Sequence, residues 1–381
     1  MSGPKAIMMS KSQVSLVRCG TYEREAVDAA VRRTVGLLGG IEQFIKPGSK
    51  VLIKPNLLMA KEPSCAVTTH PEVVRSIIRI LKAIDCSVIV GDGPSVFGNQ
   101  IEDIYEVYSR TGITQVCKEE GASLVKFDKP RWKGGFPITS WYDECDHMIS
   151  VPKFKTHSLT AITGAIKNLY GLVAGRYKSQ LHKENFRPDD FAKIVVDIYE
   201  QVPPDLTIID GILALEGDGP ASAGKVRELG LLLGGADGVA LDSVMGSVMG
   251  MPPARVATTR EAARRGLGRS NKESIAIVGE ELAQVKPASF ALPATSFKQS
   301  IPLPIVNLLK GFVVVRPTVV YDRCIHCQAC IEACPQKVMA MKNGRVTIDY
   351  AGCISCFCCQ EACPAAAIQV KKSFLARMIG L

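Results

Sequence analysis

The sequence predicts a two-part chain. The larger part is an α/β body, built on a parallel or mixed sheet with helices on both faces. The smaller is an α+β domain near the C-terminal end. Three observations carry this. Short apolar strands alternate with helical patterns from Val14 to Val278, and such alternation argues for a largely parallel sheet. Nine of the 14 cysteines fall between 324 and 363. Between these regions, residues 283–317 hold few charges and are punctuated by Pro287, Pro293, Pro302, Pro304 and Pro317.

Taken in order, residues 14–18 read as the first strand, and residues 22–38 as a helix stopped by Gly39-Gly40. A short strand, 50–54, ends at Pro55-Asn56. A helix opens at His70-Pro71-Glu72, with proline near its first position and an acid in its first turn. The strand 87–90 feeds Gly91-Asp92-Gly93-Pro94. Helices at 100–111 and 113–120, a strand at 122–127, a loop or hairpin at 132–137 and a strand at 146–151 follow. Helices at 160–170 and 188–199 precede a strand at 206–209, a glycine-rich loop at 211–224 and a strand at 229–233. Helices at 237–249 and 259–266 and a strand at 274–278 end the body. The expected divisions are a body at 1–282, a proline-rich linker packed on it at 283–317, a cysteine-rich domain at 318–371 and a short tail at 372–381.

The cysteine-rich domain carries the firmest chemistry. Cys324, Cys327, Cys330 and Cys334-Pro335 are spaced C-x2-C-x2-C-x3-C-P, and Cys353, Cys356, Cys359 and Cys363-Pro364 repeat the pattern 29 residues later. This is the bacterial iron–sulfur run, in which the fourth cysteine of each run ligates the opposite cluster. The expectation is a ferredoxin-like domain with two [4Fe-4S] clusters, one on Cys324, Cys327, Cys330 and Cys363, the other on Cys353, Cys356, Cys359 and Cys334. Four thiolates also suit zinc, but zinc ribbons use paired C-x2-C knuckles rather than three cysteines in a row. Cys358 is extra, either a buried free thiol or a substitute ligand for Cys359.

Charge and composition exclude several classes. The balance is 46 basic minus 37 acidic residues, or +9, which favours anionic partners without a dense basic run. Two Trp and no recognisable module argue against nucleic-acid binding. No stretch approaches the ~18 uninterrupted apolar residues of a membrane helix, and the N-terminal apolar run is too short for a signal peptide. The expectation is a cytoplasmic protein without stable membrane insertion. Neither G-x-G-x-x-G nor G-x4-G-K-[ST] is present, which argues against a dinucleotide or ATP site.

Basic and amide side chains cluster in three short segments: Lys54-Pro55-Asn56, Lys153-Phe154-Lys155-Thr156-His157 and Lys167-Asn168. The first two sit at strand ends, where open α/β sheets bind ligands. Lysine ammonium groups with neutral Asn and Thr donors suit a carboxylate or phosphate. The plain alternative is solvated strand ends, and His157 alone is equally a structural histidine. Asp210, Glu216 and Asp218 follow a strand and are placed at the same cleft, or else cap turns.

Together, Lys54-Pro-Asn-Leu-Leu, Thr69-His-Pro-Glu-Val-Val, Val90-Gly-Asp-Gly-Pro, Pro152-Lys-Phe-Lys-Thr-His, Gly164-Ala-Ile-Lys-Asn-Leu-Tyr-Gly171 and Asp210-Gly-Ile with Glu216-Gly-Asp-Gly-Pro220 resemble the signature of the DUF362 family. The likeness is to the form with a C-terminal two-cluster ferredoxin domain. It implies an α/β body fused to an iron–sulfur domain, in cytoplasmic proteins common in anaerobes, and it names no substrate.

The expected function is a ferredoxin-type reductase passing single electrons to an anionic substrate or cofactor. Lys54, Asn56, Lys153, Lys167, Asn168, Asp210 and Glu216 would bind it, and Lys155 and His157 would act on it, with His157 donating a proton. The competing reading is an electron-transfer adaptor whose lysines dock a separate redox partner. In either, an electron donor or acceptor protein is a partner. A further cofactor such as flavin is left open.

Overall fold

The computed structural model describes residues 11–93, 96–97, 100–101, 103–175, 177–185, 187–293 and 315–373. The expected linker residues 294–314, most of the expected tail, and Pro94 and Gly98 of the first glycine loop lie outside the described residues.

In chain order the body strands are β1 (Ser12–Arg18), β2 (Lys50–Pro55), β3 (Ser87–Val90), β4 (Val96–Phe97), β5 (Gln100–Ile101), β6 (Ser123–Leu124), β7 (Pro130–Lys133), β8 (Phe136–Thr139), β9 (His147–Val151), β10 (Lys153–His157), β11 (Ala161–Ile162), β12 (Leu206–Gly217), β13 (Gly224–Gly235) and β14 (Ile275–Gly279). The main sheet runs β14-β1-β13-β12-β9-β2-β3-β6, with β10 paired to β12 and β11. Strands β12, β9, β2, β3 and β6 are parallel, whereas β13 is antiparallel to both β1 and β12. The sheet is therefore mixed.

Period-2 side-chain alternation explains the two covered faces. In β2, Val51 and Ile53 join a core with the helices Arg24–Gly36 and Pro71–Lys82, while Leu52 points into a second core with the helix Pro188–Gln201. Near the β1 edge, Val14 and Leu16 pack with the helix Gly238–Val248. Among the described residues no helix is long and apolar enough to cross a membrane.

Three readings need correction. The glycine-rich loop expected at 211–224 is mostly strand. Here β12 passes Gly211 through a register shift and continues to Gly217, and β13 begins at Gly224. Gly211 reads as a breaker, yet it is there because an added Cβ would stand 2.9 Å from the Leu231 carbonyl oxygen. The Lys153–His157 segment is itself a strand, buried at all five positions, rather than a loop beyond one. The helix Tyr177–Glu184 was not anticipated, because its polar sequence has little apolar periodicity.

In the C-terminal module, β15 (Val315–Val319) pairs with β18 (Ile368–Lys372), and β16 (Met339–Lys342) with β17 (Arg345–Ile348). β15 starts inside the span expected to be linker. The short helices Ala329–Glu332 and Cys358–Glu361 follow the two cysteine loops.

One buried carboxylate sets the helix Gly164–Asn168 in place. The Asp242 Oδ1 accepts from the Ala165 N–H at 2.6 Å and Oδ2 from the Ile166 N–H at 3.2 Å. Gly164 has φ +58°, and an added Cβ would stand 2.1 Å from Asp242 Oδ1. Asp242→Ala is expected to lower the unfolding free energy by about 2–4 kcal/mol, since two buried donors lose their acceptor. Urea unfolding checks this, and an unchanged midpoint would mean the helix is held otherwise.

Candidate functional site

The cationic residues gather at the C-terminal edge of the parallel strands. β2 ends at Lys54-Pro55 and β3 feeds Asp92. Along β10, Lys153, Lys155 and His157 alternate onto one side. The helix Gly164–Asn168 adds Lys167 and Asn168, and the helix Tyr177–Glu184 adds Lys178 and His182.

Asp92 is the first hub. Its Oδ1 accepts from the Lys54 Nζ at 2.6 Å and the Gly93 N–H at 2.8 Å, and its Oδ2 from the Leu57 N–H at 2.7 Å. Lys54 also reaches the Pro55 carbonyl at 3.1 Å. The Asn168 Oδ1 accepts from the Asn56 Nδ2 at 3.0 Å, and the Asn168 Nδ2 donates to the Ser150 Oγ at 2.9 Å. Gly171 is required beside this pair, because an added Cβ would lie 2.5 Å from Asp92 Oδ1 and 2.7 Å from Lys54 Nζ. Asn56 Oδ1 is buried with no hydrogen-bond partner among the described residues.

Asp210 is the second hub, and it is closed. Its Oδ2 accepts from Lys153 Nζ at 2.8 Å and the His70 N–H at 2.9 Å, and its Oδ1 from the Tyr22 hydroxyl at 2.7 Å. Tyr22 stacks on His70 with ring centroids 3.6 Å apart. Lys153 and Asp210 are both 0% exposed. These two residues tie β10, β12 and the helix Pro71–Lys82 together, and Lys153 also donates to the Tyr22 hydroxyl at 2.8 Å. Glu216 is not brought to the cleft at all. It pairs with Arg227 at 3.4 Å and accepts from the Ala291 N–H at 3.1 Å.

Lys155 is different. It is 1% exposed, its ammonium donates to the Val67 carbonyl at 2.7 Å, and among the described residues no carboxylate lies within ion-pair distance. Burial drives its pKa well below the ordinary lysine value, and Lys167 pushes the same way. Burial lowers Lys167 to about 8, offset in part by Glu361. Lys178 donates to the Gly93 carbonyl and is lowered by burial to about 7. Two of these lysines thus sit where an ammonium can give up a proton near neutral pH.

The His157 Nδ1 accepts from the Leu159 N–H at 3.1 Å and the Thr160 N–H at 3.4 Å. That places the ring hydrogen on Nε2, and burial pushes its pKa well down. The geometry suits a neutral hydrogen-bond donor rather than the proton-releasing acid of the sequence reading. Ammonium groups at Lys167 and Lys178 are better acids.

The module meets the body beside these lysines. Glu361 is 6% exposed, and its Oε1 accepts from the Ser158 hydroxyl at 2.6 Å. The His157 Nδ1 lies 3.7 Å from the same oxygen, a contact between two acceptors and not an ion pair. The His182 Nε2 is 3.8 Å from Glu361 Oε2, and its Nδ1 is 3.3 Å from the Cys358 Sγ. The Pro364 carbonyl accepts from Lys61 Nζ and the Ser222 hydroxyl, both at 3.1 Å.

Inside the module, Cys334, Cys353, Cys356 and Cys359 line one cavity, with Pro317, Phe357 and Ile348. Cys324, Cys327, Cys330 and Cys363 line another, with Val319, Val346 and Ile368. All eight thiols are free. Among the described residues no three metal-binding side chains converge on a single-ion position. Thiols spread around a void suit a polynuclear cluster better than a lone zinc ion.

The family model described as a domain of unknown function, DUF362, matches residues 51–247. The chain belongs to the DUF362 family. In this DUF362 protein, residues 316–364 match the model described as a 4Fe-4S dicluster domain, so the module is a ferredoxin-type, [4Fe-4S]-binding electron-transfer domain. A thylakoid-associated protein of Synechocystis sp. (strain ATCC 27184 / PCC 6803 / Kazusa) is 33% identical over 261 residues, covering 67% of this chain and 79% of that protein.

Sequence reasoning missed Lys178, His182, Asp92 and Glu361 as members of the site. Asp92 had a signal in the Gly-Asp-Gly-Pro loop, and Glu361 one in lying between two cysteines of a run.

A buried, uncompensated lysine opposes folding. Lys155→Met is expected to stabilise the protein by about 1–4 kcal/mol in urea unfolding near pH 7, and a loss of stability would mean the ammonium is compensated. For Lys178, with folded pKa about 7 against an ordinary 10.5, the unfolded chain binds more protons between those values. Stability therefore rises with pH from about 7 to 10.5. Lys178→Met is expected to flatten that rise, measured as the unfolding midpoint against pH.

Proposed function

We propose that this DUF362 protein is a cytoplasmic oxidoreductase that passes single electrons to a small anionic substrate or cofactor held in the buried lysine chamber. One observation carries the reading. The second cysteine run seats its own helix, through Cys358 and Glu361, against His182 and Ser158 at the edge of the chamber that holds Lys155, Lys167 and Lys178. The donor sets fit two [4Fe-4S] clusters. Cys324, Cys327, Cys330 and Cys363 would hold one, and Cys353, Cys356, Cys359 and Cys334 the other. Such clusters supply single electrons at potentials from about −700 to +450 mV.

The chain's own residues then have separate tasks. Lys155 and Lys167 bind the anion in a low-dielectric chamber, where such attraction is strong. Lys54 and Asp92 hold the Asn56 and Asn168 amides in position beside it. His157 offers its Nε2–H, and Lys167 or Lys178 holds a proton to give as charge arrives. Lys153 and Asp210 support β10 and do not touch the ligand. A convex lysine face would suit the adaptor reading. Lysines 0–8% exposed at Lys54, Lys155 and Lys178 favour a ligand chamber instead.

The test is anaerobic purification of the wild-type protein and Lys155→Met, with iron counting and mass analysis of co-purified small molecules. Both are expected to hold about eight irons per chain, two four-iron sites. The wild type is expected to carry an anionic molecule that the variant has lost. If the variant keeps the same molecule in equal amount, the chamber does not bind it.

A further inference from the structure

At the β14 end of the sheet lies a groove that the iron–sulfur chemistry does not use. Its volume is about 970 Å³, at the upper end of the roughly 300–1,000 Å³ usual for small-molecule sites. Strand β14 is the last strand of the sheet and, among the described residues, pairs with β1 alone. The helices Gly238–Val248 and Ala257–Arg264, the Pro253–Arg255 turn and the short helix Leu282–Val285 frame the groove with it. A helix of four residues is too short to cover what these elements leave open.

The floor is apolar. Val244, Met251, Ile275, Ile277 and Leu282 line it, and all five belong to or pack against the core that holds Val14 and Leu16. Ile275 and Ile277 alternate onto the groove side of β14. An apolar concavity of this size marks a binding surface. Among the described residues no aromatic side chain lines it. It therefore offers no stacking partner for a flat ring and suits a flexible aliphatic chain.

The rim carries the charge. Arg260, Lys272, Glu273 and Lys286 all line the groove. Arg260 is already engaged, by Asp189 at 2.5 Å and the Ala254 carbonyl at 2.7 Å. Among the described residues Lys272, Glu273 and Lys286 form no ion pair. Two free ammonium groups against one free carboxylate leave the rim with a positive excess. Lys286 lies beside the end of the helix Gly238–Val248, with its Cε 3.9 Å from where a Cβ on Gly250 would stand. Its methylenes extend the apolar surface, and its exposed ammonium is available to an anion. Ser270 and Asn271 add neutral hydrogen-bonding groups.

We propose that this groove binds an aliphatic chain ending in a carboxylate or phosphate, with the chain on the isoleucine floor and the anionic group at Lys272 and Lys286. The groove shares no residue with the buried lysines of β2 and β10, so the proposal is independent of the function assigned to them.

The test is isothermal titration calorimetry of the full-length, cluster-loaded protein. The probes are dodecanoate, dodecyl phosphate and, for contrast, dodecyltrimethylammonium, each below its micelle concentration. At least one of the two anions is expected to bind saturably, one per chain, and the tighter of them names the head group. The cationic analogue is expected to bind about tenfold more weakly or worse. Ile277→Asp and Lys286→Glu are each expected to weaken the anion about tenfold, with iron content unchanged. Lys286 is exposed, so its variant keeps the test decisive should Ile277→Asp unfold. Lys155→Met is expected to leave this binding as it is. No saturable binding of either anion, equal binding of the cation, indifference to Lys286→Glu, or loss of binding in Lys155→Met would overturn the proposal.

Discussion

The arrangement of this protein depends on the cost of burying lysine. Lys54, Lys153, Lys155 and Lys178 all lie at or below 8% exposure along one edge of the sheet, where an isolated ammonium is costly. Two of the four are matched to carboxylates, Lys54 to Asp92 at 2.6 Å and Lys153 to Asp210 at 2.8 Å. The matched pairs tie the strands together, and Lys155 is left with a carbonyl partner alone.

Glu361 connects this constraint to the module. It is the carboxylate that lowers the cost of Lys167 and the residue that anchors the second cysteine run to Ser158. The same contact therefore does two things. It offsets the positive charge of Lys167, and it fixes the iron–sulfur module against the body. His182 extends the connection, touching Cys358 on one side and facing Glu361 on the other.

Local pattern made much of this legible. Apolar runs such as Val51-Leu52-Ile53 and the spacing of eight cysteines are set within a few residues, and they read correctly as strands and as an iron–sulfur domain. The mixed character of the sheet rests on β13, whose antiparallel pairing is decided by partners far along the chain. Site membership was harder for the same reason. Lys54 meets Asp92 across 38 residues, and Ser158 meets Glu361 across 203. Spacing grouped Lys153 with Lys155, but only the fold shows that Asp210 takes up the first and leaves the second. Glu216 was drawn in by its neighbour Gly217, whereas its partners are Arg227 and Ala291.

The central claim is that Lys155 and Lys167 make an anion site beneath the second cysteine run. A crystal of the cluster-loaded protein soaked in selenate tests it most directly, because selenium can be located by its anomalous scattering. The account predicts a peak within hydrogen-bond reach of the Lys155 and Lys167 ammonium groups. Selenate found only on exposed lysines, with the chamber ordered and free of it, would contradict the account.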